Sequence, residues 1–369
     1  MDFINLHNHS EYSLLDGMIS PEEMIDYAKE NSQEAIAITD HGVMGGYLRL
    51  IEYGTENDIK PLVGVELYLV KDLDFQEHRE KGEKEERFHL TAIAKTQQGM
   101  YNLFKLTHES HVEGFYYKPR VDMEMIDKYK EGIIWMSGCL SGPLGQLILD
   151  RKEKTAHKQA KKFKDFFNDF YIEIQPNAID DQKEVNPVLV DIAKKQNIPL
   201  VATTDAHYLE SQKESHPVLL GIQSRGNMWS FDDDKFYLMT GEQMYNLMKE
   251  NHPKLSEKDI KNSIKNTVEI ADKCDWVEKE RYEDTIPAPY PELEDEEAEI
   301  EYMRKLIDKG WKMKNMEDKK GKPEYQERLQ RELEVIERQG FVRYFLVVHD
   351  LYENFVKPND IMYGTGRGS

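Results

Sequence analysis

Residues 199–207 read PLVATTDAH: a short apolar run with Asp205 and His207 immediately after it. A run of this length, closed by polar residues, reads as a buried strand. The same order of strand and then reactive group recurs upstream. FINLH (3–7) leads into His7 and His9, AIAIT (35–39) into Asp40 and His41, and GIIWMSG (132–138) into Cys139. With LVGVELYLV (62–70), FHLTAIA (88–94) and YIEIQ (171–175) there are seven such runs, separated by stretches of helical spacing. Alternation of this kind implies parallel strands joined by crossover helices. Reactive groups at the ends of separate strands favour a (β/α) barrel over a doubly wound sheet, because barrels gather their chemistry on one rim. Two residues fit less neatly: Glu66 lies inside its run and His89 opens its own.

One connecting helix is well signalled by SPEEMIDYAKE, with Ser20 as N-cap, Pro21 at the first helical position and Glu23 closing a capping box. After residue 210 the pattern turns helical, in TGEQMYNLMKENH and LSEKDIKNSIKNTVEIADKC. The proline- and acid-rich EKERYEDTIPAPYPELEDEEAEIE reads as a boundary. Beyond it EYQERLQRELEVIERQG is a helix stopped by Gly340, followed by the apolar YFLVVHDLYENFV.

The net charge of −21 argues against bulk attraction to nucleic acid, so any such contact needs local basic patches or bound cations. One basic stretch, RKEKTAHKQAKKFK (151–164), has helical spacing, and its ordinary reading is a solvated face. No apolar run approaches the ~18 residues of a membrane span, and no signal peptide is visible. A cytoplasmic protein without membrane partners is expected. Cys139 and Cys274 lie far apart with no CxxC pair, so a disulfide is not expected and a ligand role for one of them stays open.

On an extended strand His7 and His9 face the same way and can share an ion. Alone the pair is weak, Asp16 could simply open the Asp-Gly turn with Gly17, and Asp40 could cap a turn that leaves His41 exposed. The full set carries more weight: His7, His9, Asp16, His41, Glu66, His89, Cys139, Asp205 and His207. Imidazoles, carboxylates and one thiol suit zinc first, with manganese and iron also served by the N/O majority. Nine ligands exceed one coordination shell, which implies a cluster with a bridging carboxylate. Such clusters suit phosphate-ester hydrolysis. GFYYKPR interleaves Tyr116 and Tyr117 with Lys118 and Arg120, as in sites that stack bases and neutralise phosphates. The alternative is a packed loop in which Arg120 pairs with a carboxylate. In GTGRGS, the backbone of Gly366, Gly368 and Ser369 could cradle a phosphate with Arg367 as clamp. His108, His111, His157 and His216 read as ordinary surface or helix residues, and the paired acids of KDLDF, Asp72 and Asp74, as a loop.

LHNHSEYSLLDG (6–17), AIAITDHGVMGG, PLVGVELYL, FHLTAIAK, EGFYYKPRVD, MSGCLSGPL and TTDAHYL resemble, in order, the motifs of a known domain. It is the PHP (polymerase and histidinol phosphatase) domain at the N-terminus of bacterial C-family replicative polymerases. LEVIERQGFVRYFLVVHDLYENFV and YGTGRGS are similar to the opening of the palm in that family. The resemblance implies a distorted seven-stranded (β/α) barrel over residues 1–275, a linker over 276–300 and an incomplete, helical palm segment over 301–369. It implies three divalent ions: His7, His9, Glu66 and Asp205 on one; Glu66, His89 and Cys139 on a second; Asp16, His41 and His207 on a third. Asp16, Glu66, Asp205 and His207 take the catalytic roles. The activity implied is 3′→5′ exonuclease action on primer ends. Polymerisation, with magnesium, would need the rest of the polymerase, in the same or a second chain, and the sliding clamp and other replisome proteins would bind through that part. Thr365 stands where the glycine loop of the family usually has proline. Some members have lost several ligands and keep the domain as a scaffold; the intact set here favours a working site. A silent metal-binding scaffold and a free-standing PHP phosphomonoesterase are the alternatives.

Overall fold

A computed structural model describes residues 1–73, 85–226, 233–275, 293, 295–362 and 364. The chain divides into two compact units, Met1–Glu278 and Lys279–Ser369. Among the described residues the first contains eight strands: β1 Ala35–Ile38, β2 Lys60–Leu69, β3 Phe88–Ala94, β4 Phe115–Tyr116, β5 Lys118–Val121, β6 Ile133–Met136, β7 Asp169–Ile174 and β8 Leu200–Ala202.

β1 pairs with β2, β6 with β7 and β7 with β8, all in parallel. The first chain segment closes the ring. Ala37 N donates to Asn5 O and Thr39 N to Asn8 O on one side, while His9 N donates to Ala206 O and Ala206 N to His7 O on the other. Residues 5–9 therefore act as a seventh stave between β1 and the end of β8, giving a distorted seven-stranded barrel. The β4–β5 hairpin is an addition, joined to β2 at Tyr68 and Leu69.

The expectation of parallel strands fails at β3, which is antiparallel to both β2 and β6. A strand buried on both faces carries no residue signal of its direction, so the alternation of runs could not reveal the reversal. The reversal accounts for His89, because the start of β3 lies at the rim where the neighbouring strands end. Glu66 is accounted for by length: β2 runs ten residues, passing the His41 bridge at Glu66 to reach the hairpin.

Strand periodicity divides the barrel interior into an apolar floor and a polar mouth. Ile4, Leu6, Ala35, Ala37, Leu62, Ile93, Ile134, Met136, Tyr171 and Val201 form one buried cluster, joined by Ile270, Ala271 and Cys274 at the end of the helix Glu257–Lys273. The same inward parity, continued along the strands, presents Glu66 after Leu62, Thr91 and His89 before Ile93, Glu173 after Tyr171, and Thr203 and Asp205 after Val201. Outside, the helices pack on a second apolar layer that includes Leu103, Trp135, Phe163, Val185 and Ile192. Helix Pro21–Glu30 has the expected capping box: Glu23 N donates to Ser20 Oγ at 3.2 Å and Ser20 N to Glu23 Oε2 at 2.8 Å. The basic stretch is a helix, Glu153–Phe166, that buries Ala156, Ala160 and Phe163 and pairs Lys161 with Asp165.

In the second unit, helices Glu296–Met313, Pro323–Arg338 and Val342–Leu351 share a small core of Met303, Leu333, Val342 and Leu346. The first of them starts inside the stretch read as linker, with Asp295 Oδ1 accepting from Ala298 N. Gly340, at φ +69°, follows the second, where a left-handed residue ends a helix at little steric cost. Phe341, Tyr344, Phe345, Val348 and Leu351 are exposed. Among the described residues no helix is long and apolar enough to cross a membrane.

Ile134 is fully buried on the barrel floor. Ile134→Ala should cost ~2–5 kcal/mol, read as a lower urea midpoint at unchanged m-value. A loss within experimental error would contradict a packed interior.

Candidate metal centre

Glu66 sits at the centre of the barrel mouth, 1% exposed. Four imidazole nitrogens crowd its two oxygens: His41 Nδ1 at 2.5 Å, His89 Nδ1 at 3.0 Å, His7 Nε2 at 3.2 Å and His9 Nε2 at 3.8 Å. Asp205 Oδ1 lies 3.0 Å from His9 Nε2 and 3.5 Å from His7 Nε2. On the far side Asp16 reaches His41 Nε2 at 3.2 Å and His207 Nε2 at 3.9 Å, and Cys139 Sγ lies 3.7 Å from His89 Nδ1. All nine ligand candidates are thus brought to one place. Three sets of three offer ligand atoms within 4.8 Å of one another: His7, His9 and Glu66; His41, Glu66 and His89; and His9, His41 and His207.

These atoms are close yet poorly satisfied. His7 Nε2, His41 Nδ1, Asp16 Oδ1 and both Glu66 oxygens are buried without a hydrogen bond of acceptable geometry. Buried polar groups are normally paired, and leaving one unpaired costs about 1–3 kcal/mol. A shared cation would satisfy several at once, and N, O and S donors in this mixture suit zinc, manganese or iron. The residues present therefore fit divalent ions.

Burial and mutual charge set the protonation of the cluster. Burial, with His41 and His207 close by, pushes His9 down to about 3, so it is a neutral donor. Burial opposes charge on His41 too, but Glu66 and Asp16 override it and hold His41 up at about 10. Burial opposes ionisation of Asp16, yet its hydrogen bond to His41 and the nearby His207 bring it down to about 2. Glu66 and Asp205 are likewise held below the usual carboxylate range by the surrounding imidazoles, against their burial. The Cys139 thiol is pushed well up, first by burial and then by Asp205 and Glu66. With no cation in place the thiol stays protonated.

A supporting layer lies behind these residues. Glu173, fully buried, accepts from His7 Nδ1 at 2.8 Å, Thr203 Oγ1 at 2.8 Å, Thr91 Oγ1 at 2.9 Å and Gly138 N at 2.9 Å. A carboxylate on the far nitrogen of a ligating imidazole fixes its tautomer and aims the other nitrogen, here toward Glu66 and Asp205. Sequence reasoning missed Glu173; its signal was an acid at an inward position of the apolar run YIEIQ. Asp40 is buried rather than capping an open turn. It accepts from Ser10 N, Ser10 Oγ and Ser13 Oγ at 2.6–2.7 Å and so binds the first loop to the second. His41 is mostly buried as well, with a side chain 13% exposed. His216 and His111 are helix residues, as expected, and each also makes a long-range hydrogen bond: the buried His216 donates from Nε2 to Asp16 O at 2.9 Å, and His111 Nε2 donates to Gly42 O at 2.9 Å. Asp205 itself has φ +52°, a left-handed backbone that favours glycine.

A cleft of about 210 Å³ opens beside the cluster, lined by Asp16, His89, Cys139, Asp205 and His207 and, on another wall, by Gln175, Asn177 and Phe236. The aromatic motif borders the centre through Tyr68, whose ring lies 5.3 Å from His89 and carries Lys118 Nζ at 5.3 Å on its face. Tyr117 forms the hairpin tip at φ +59° and is 75% exposed. Tyr116 packs edge-on against it. Arg120 is used internally: Nε donates to Gly114 O, Nη2 to Leu73 O, and the guanidinium pairs with Glu85. Gly366, Arg367, Gly368 and Ser369 lie outside the described residues, as does Asp74.

The barrel and its imidazole–carboxylate mouth are those of a PHP domain, and the model of that family, described as "PHP domain", matches residues 5–177. A second model, "Bacterial DNA polymerase III alpha NTPase domain", matches residues 301–369. Along its whole length the chain is 35% identical to the DNA polymerase III subunit alpha of Treponema pallidum and 37% identical to that of Aquifex aeolicus, covering 31% and 32% of those proteins. The corresponding protein of Borreliella burgdorferi is 36% identical, again over all of this chain and 31% of its own length. The chain belongs to the DNA polymerase III alpha subunit family and spans about a third of the length of these curated relatives. Among solved structures, a two-domain protein from Bacteroides vulgatus, described as containing a predicted PHP-like metal-dependent phosphoesterase, overlays with a TM-score of 0.35 at 15% identity. The overlap covers 56% of this chain and 54% of that one and is too loose to carry an argument.

Glu173→Gln keeps the size of the side chain but removes the charge behind His7. It should weaken metal affinity ~10–100-fold in a competition titration against a coloured chelator. An unchanged affinity would show that His7 is not aimed by Glu173.

Proposed function

We propose that the first unit is a metal-dependent phosphodiesterase that removes nucleotides from the 3′ end of a DNA primer, within a replicative polymerase. The observation that carries this reading is the convergence of four imidazoles on the buried carboxylate of Glu66 beside an open cleft, with His7 Nε2, His41 Nδ1, Asp16 Oδ1 and both Glu66 oxygens left unsatisfied. His7, His9, Glu66 and Asp205 would hold one ion, Glu66, His89 and Cys139 a second, and Asp16, His41 and His207 a third. Zinc is the first candidate, with manganese or iron as substitutes. When bound, such ions lower the pKa of water and neutralise charge on the phosphoryl group.

The rest of the chemistry is assigned to side chains. Neutral His9 and the ionised Glu66 and Asp205 present lone pairs inward. Asp16 and His207 lie on the cleft wall with Cys139, so their acid–base capacity faces the space where a scissile ester would lie. Lys118, held over Tyr68, supplies a positive edge for the backbone of an incoming strand. The exposed Tyr117, kept in an unfavourable backbone conformation at the hairpin tip, is placed to stack on an unpaired base. A frayed end needs less unstacking than a paired one, so mismatched termini would enter more readily.

For the whole polymerase, of which this chain spans about a third, DNA synthesis with magnesium, binding to the sliding clamp and contacts with other replisome proteins are proposed for the remaining length. The second unit would join that remainder, and its exposed apolar helix Val342–Leu351 supports a covered position in the assembly.

Protein of measured metal content, offered a 5′-labelled primer with a 3′ mismatch, should shorten it one nucleotide at a time. His9→Ala and Asp205→Asn should slow the reaction ~100-fold or more. A phosphomonoester should be a poor substrate. A fully loaded protein that leaves the primer intact would overturn the nuclease reading and leave a structural metal centre.

A further inference from the structure

Of the unsatisfied buried atoms in the first unit that stand apart from the ligand cluster, two belong to residues lining the cleft: Gln175 Nε2 and Asn177 Oδ1. Both side chains line the cleft, and the residues are only 2% and 1% exposed. They follow β7 directly, two residues apart, and their backbone is fixed from behind. Asn186 Nδ2 donates to Gln175 O at 2.9 Å, Asn251 Nδ2 to Pro176 O at 2.8 Å and His252 Nε2 to Asn177 O at 3.0 Å. Ala178 N is bound by Asp233. Side chains from two helices and a loop thus hold this short segment still. None of the contacts uses Gln175 Nε2 or Asn177 Oδ1. Buried polar atoms without partners are rare in folded proteins, and a ligand is one way of supplying the partner.

We propose that Gln175 and Asn177 form a subsite for the sugar hydroxyl of the terminal nucleotide. This inference rests on the phosphodiesterase reading and names the part of the substrate that this wall receives. The chemistry of the wall selects it. The two amides are neutral and offer a donor and an acceptor together; turning both amides over exchanges the two roles and still leaves one of each. Phosphoryl oxygens only accept, and the Asn177 oxygen would oppose them. A hydroxyl both gives and takes, so it can bridge the pair. Phe236 and Ile179 line the same cleft and supply apolar surface for the carbon skeleton of the sugar. The phosphate is then left to the cluster side, where His41, His89 and His207 are found.

The test is calorimetric binding of a 2′-deoxynucleoside 5′-monophosphate and its 2′,3′-dideoxy counterpart to the metal-loaded full chain. The wild type should bind the hydroxylated ligand about tenfold more tightly. Asn177→Leu and Gln175→Met, close in size to the native residues, should reduce that ratio to about twofold or less. Should Asn177→Leu fail to fold, Asn177→Ala makes the same comparison. Equal binding of the two ligands by the wild type, or a ratio preserved in the variants, overturns the subsite. The phosphodiesterase reading is tested separately by hydrolysis of bis(p-nitrophenyl) phosphate, which has no sugar, by the wild type. Failure there counts against the reaction, and the binding ratio still decides the subsite.

Discussion

Glu66 is a buried carboxylate with imidazole nitrogens 2.5–3.8 Å from its oxygens on four sides, and much of the barrel mouth is arranged around it. Close approach of this kind is costly without a cation. Burial, and then the neighbouring His41 and His207, disfavour protonation of His9, while the carboxylates force protonation of His41 against its burial. Divalent ions would replace protons as the positive charge and have no donor–acceptor direction to frustrate. Folding supplies the proximity; the ions would supply the compatibility.

The fold meets this constraint through strand ends that do not all follow one rule. β2 overshoots the rim to carry Glu66 inward, β3 runs backwards so that His89 comes first, and the opening segment is threaded between β1 and β8 to deliver His7 and His9. Behind them Glu173 and Asp40 collect hydrogen bonds from the opening stave, β3, the residues just after β6 and β8, and the first loop, so the candidate ligands are aimed by groups that are themselves fixed. Removal of either carboxylate would loosen several ligands together.

Much of this was legible in the sequence because it depends on local pattern. Seven apolar runs, four of them closed by reactive residues, became seven staves of one ring, and the Ser20 capping box formed as its spacing predicts. Strand direction was not legible, since the interior run FHLTAIA reads alike whichever way it points. Long-range hydrogen bonds were hidden for a similar reason: His216 gains its role from a carbonyl 200 residues away. Arg120 shows the limit of composition, because an arginine among aromatics reads equally as a nucleic-acid contact or as the partner of a carboxylate in a packed loop until its three internal partners are seen. Gln175 and Asn177 carry no sequence signal at all; only the closed barrel reveals two buried amides facing a cleft.

The claim beneath all of this is that the mouth of the barrel is a multi-ion site bridged by Glu66. Anomalous diffraction from crystals grown with zinc tests it most directly. The account predicts discrete peaks inside the cluster, with the two Glu66 oxygens shared between neighbouring ions. A fully ordered cluster with no anomalous signal at saturating zinc, its carboxylates and imidazoles paired only with each other and with water, would contradict it.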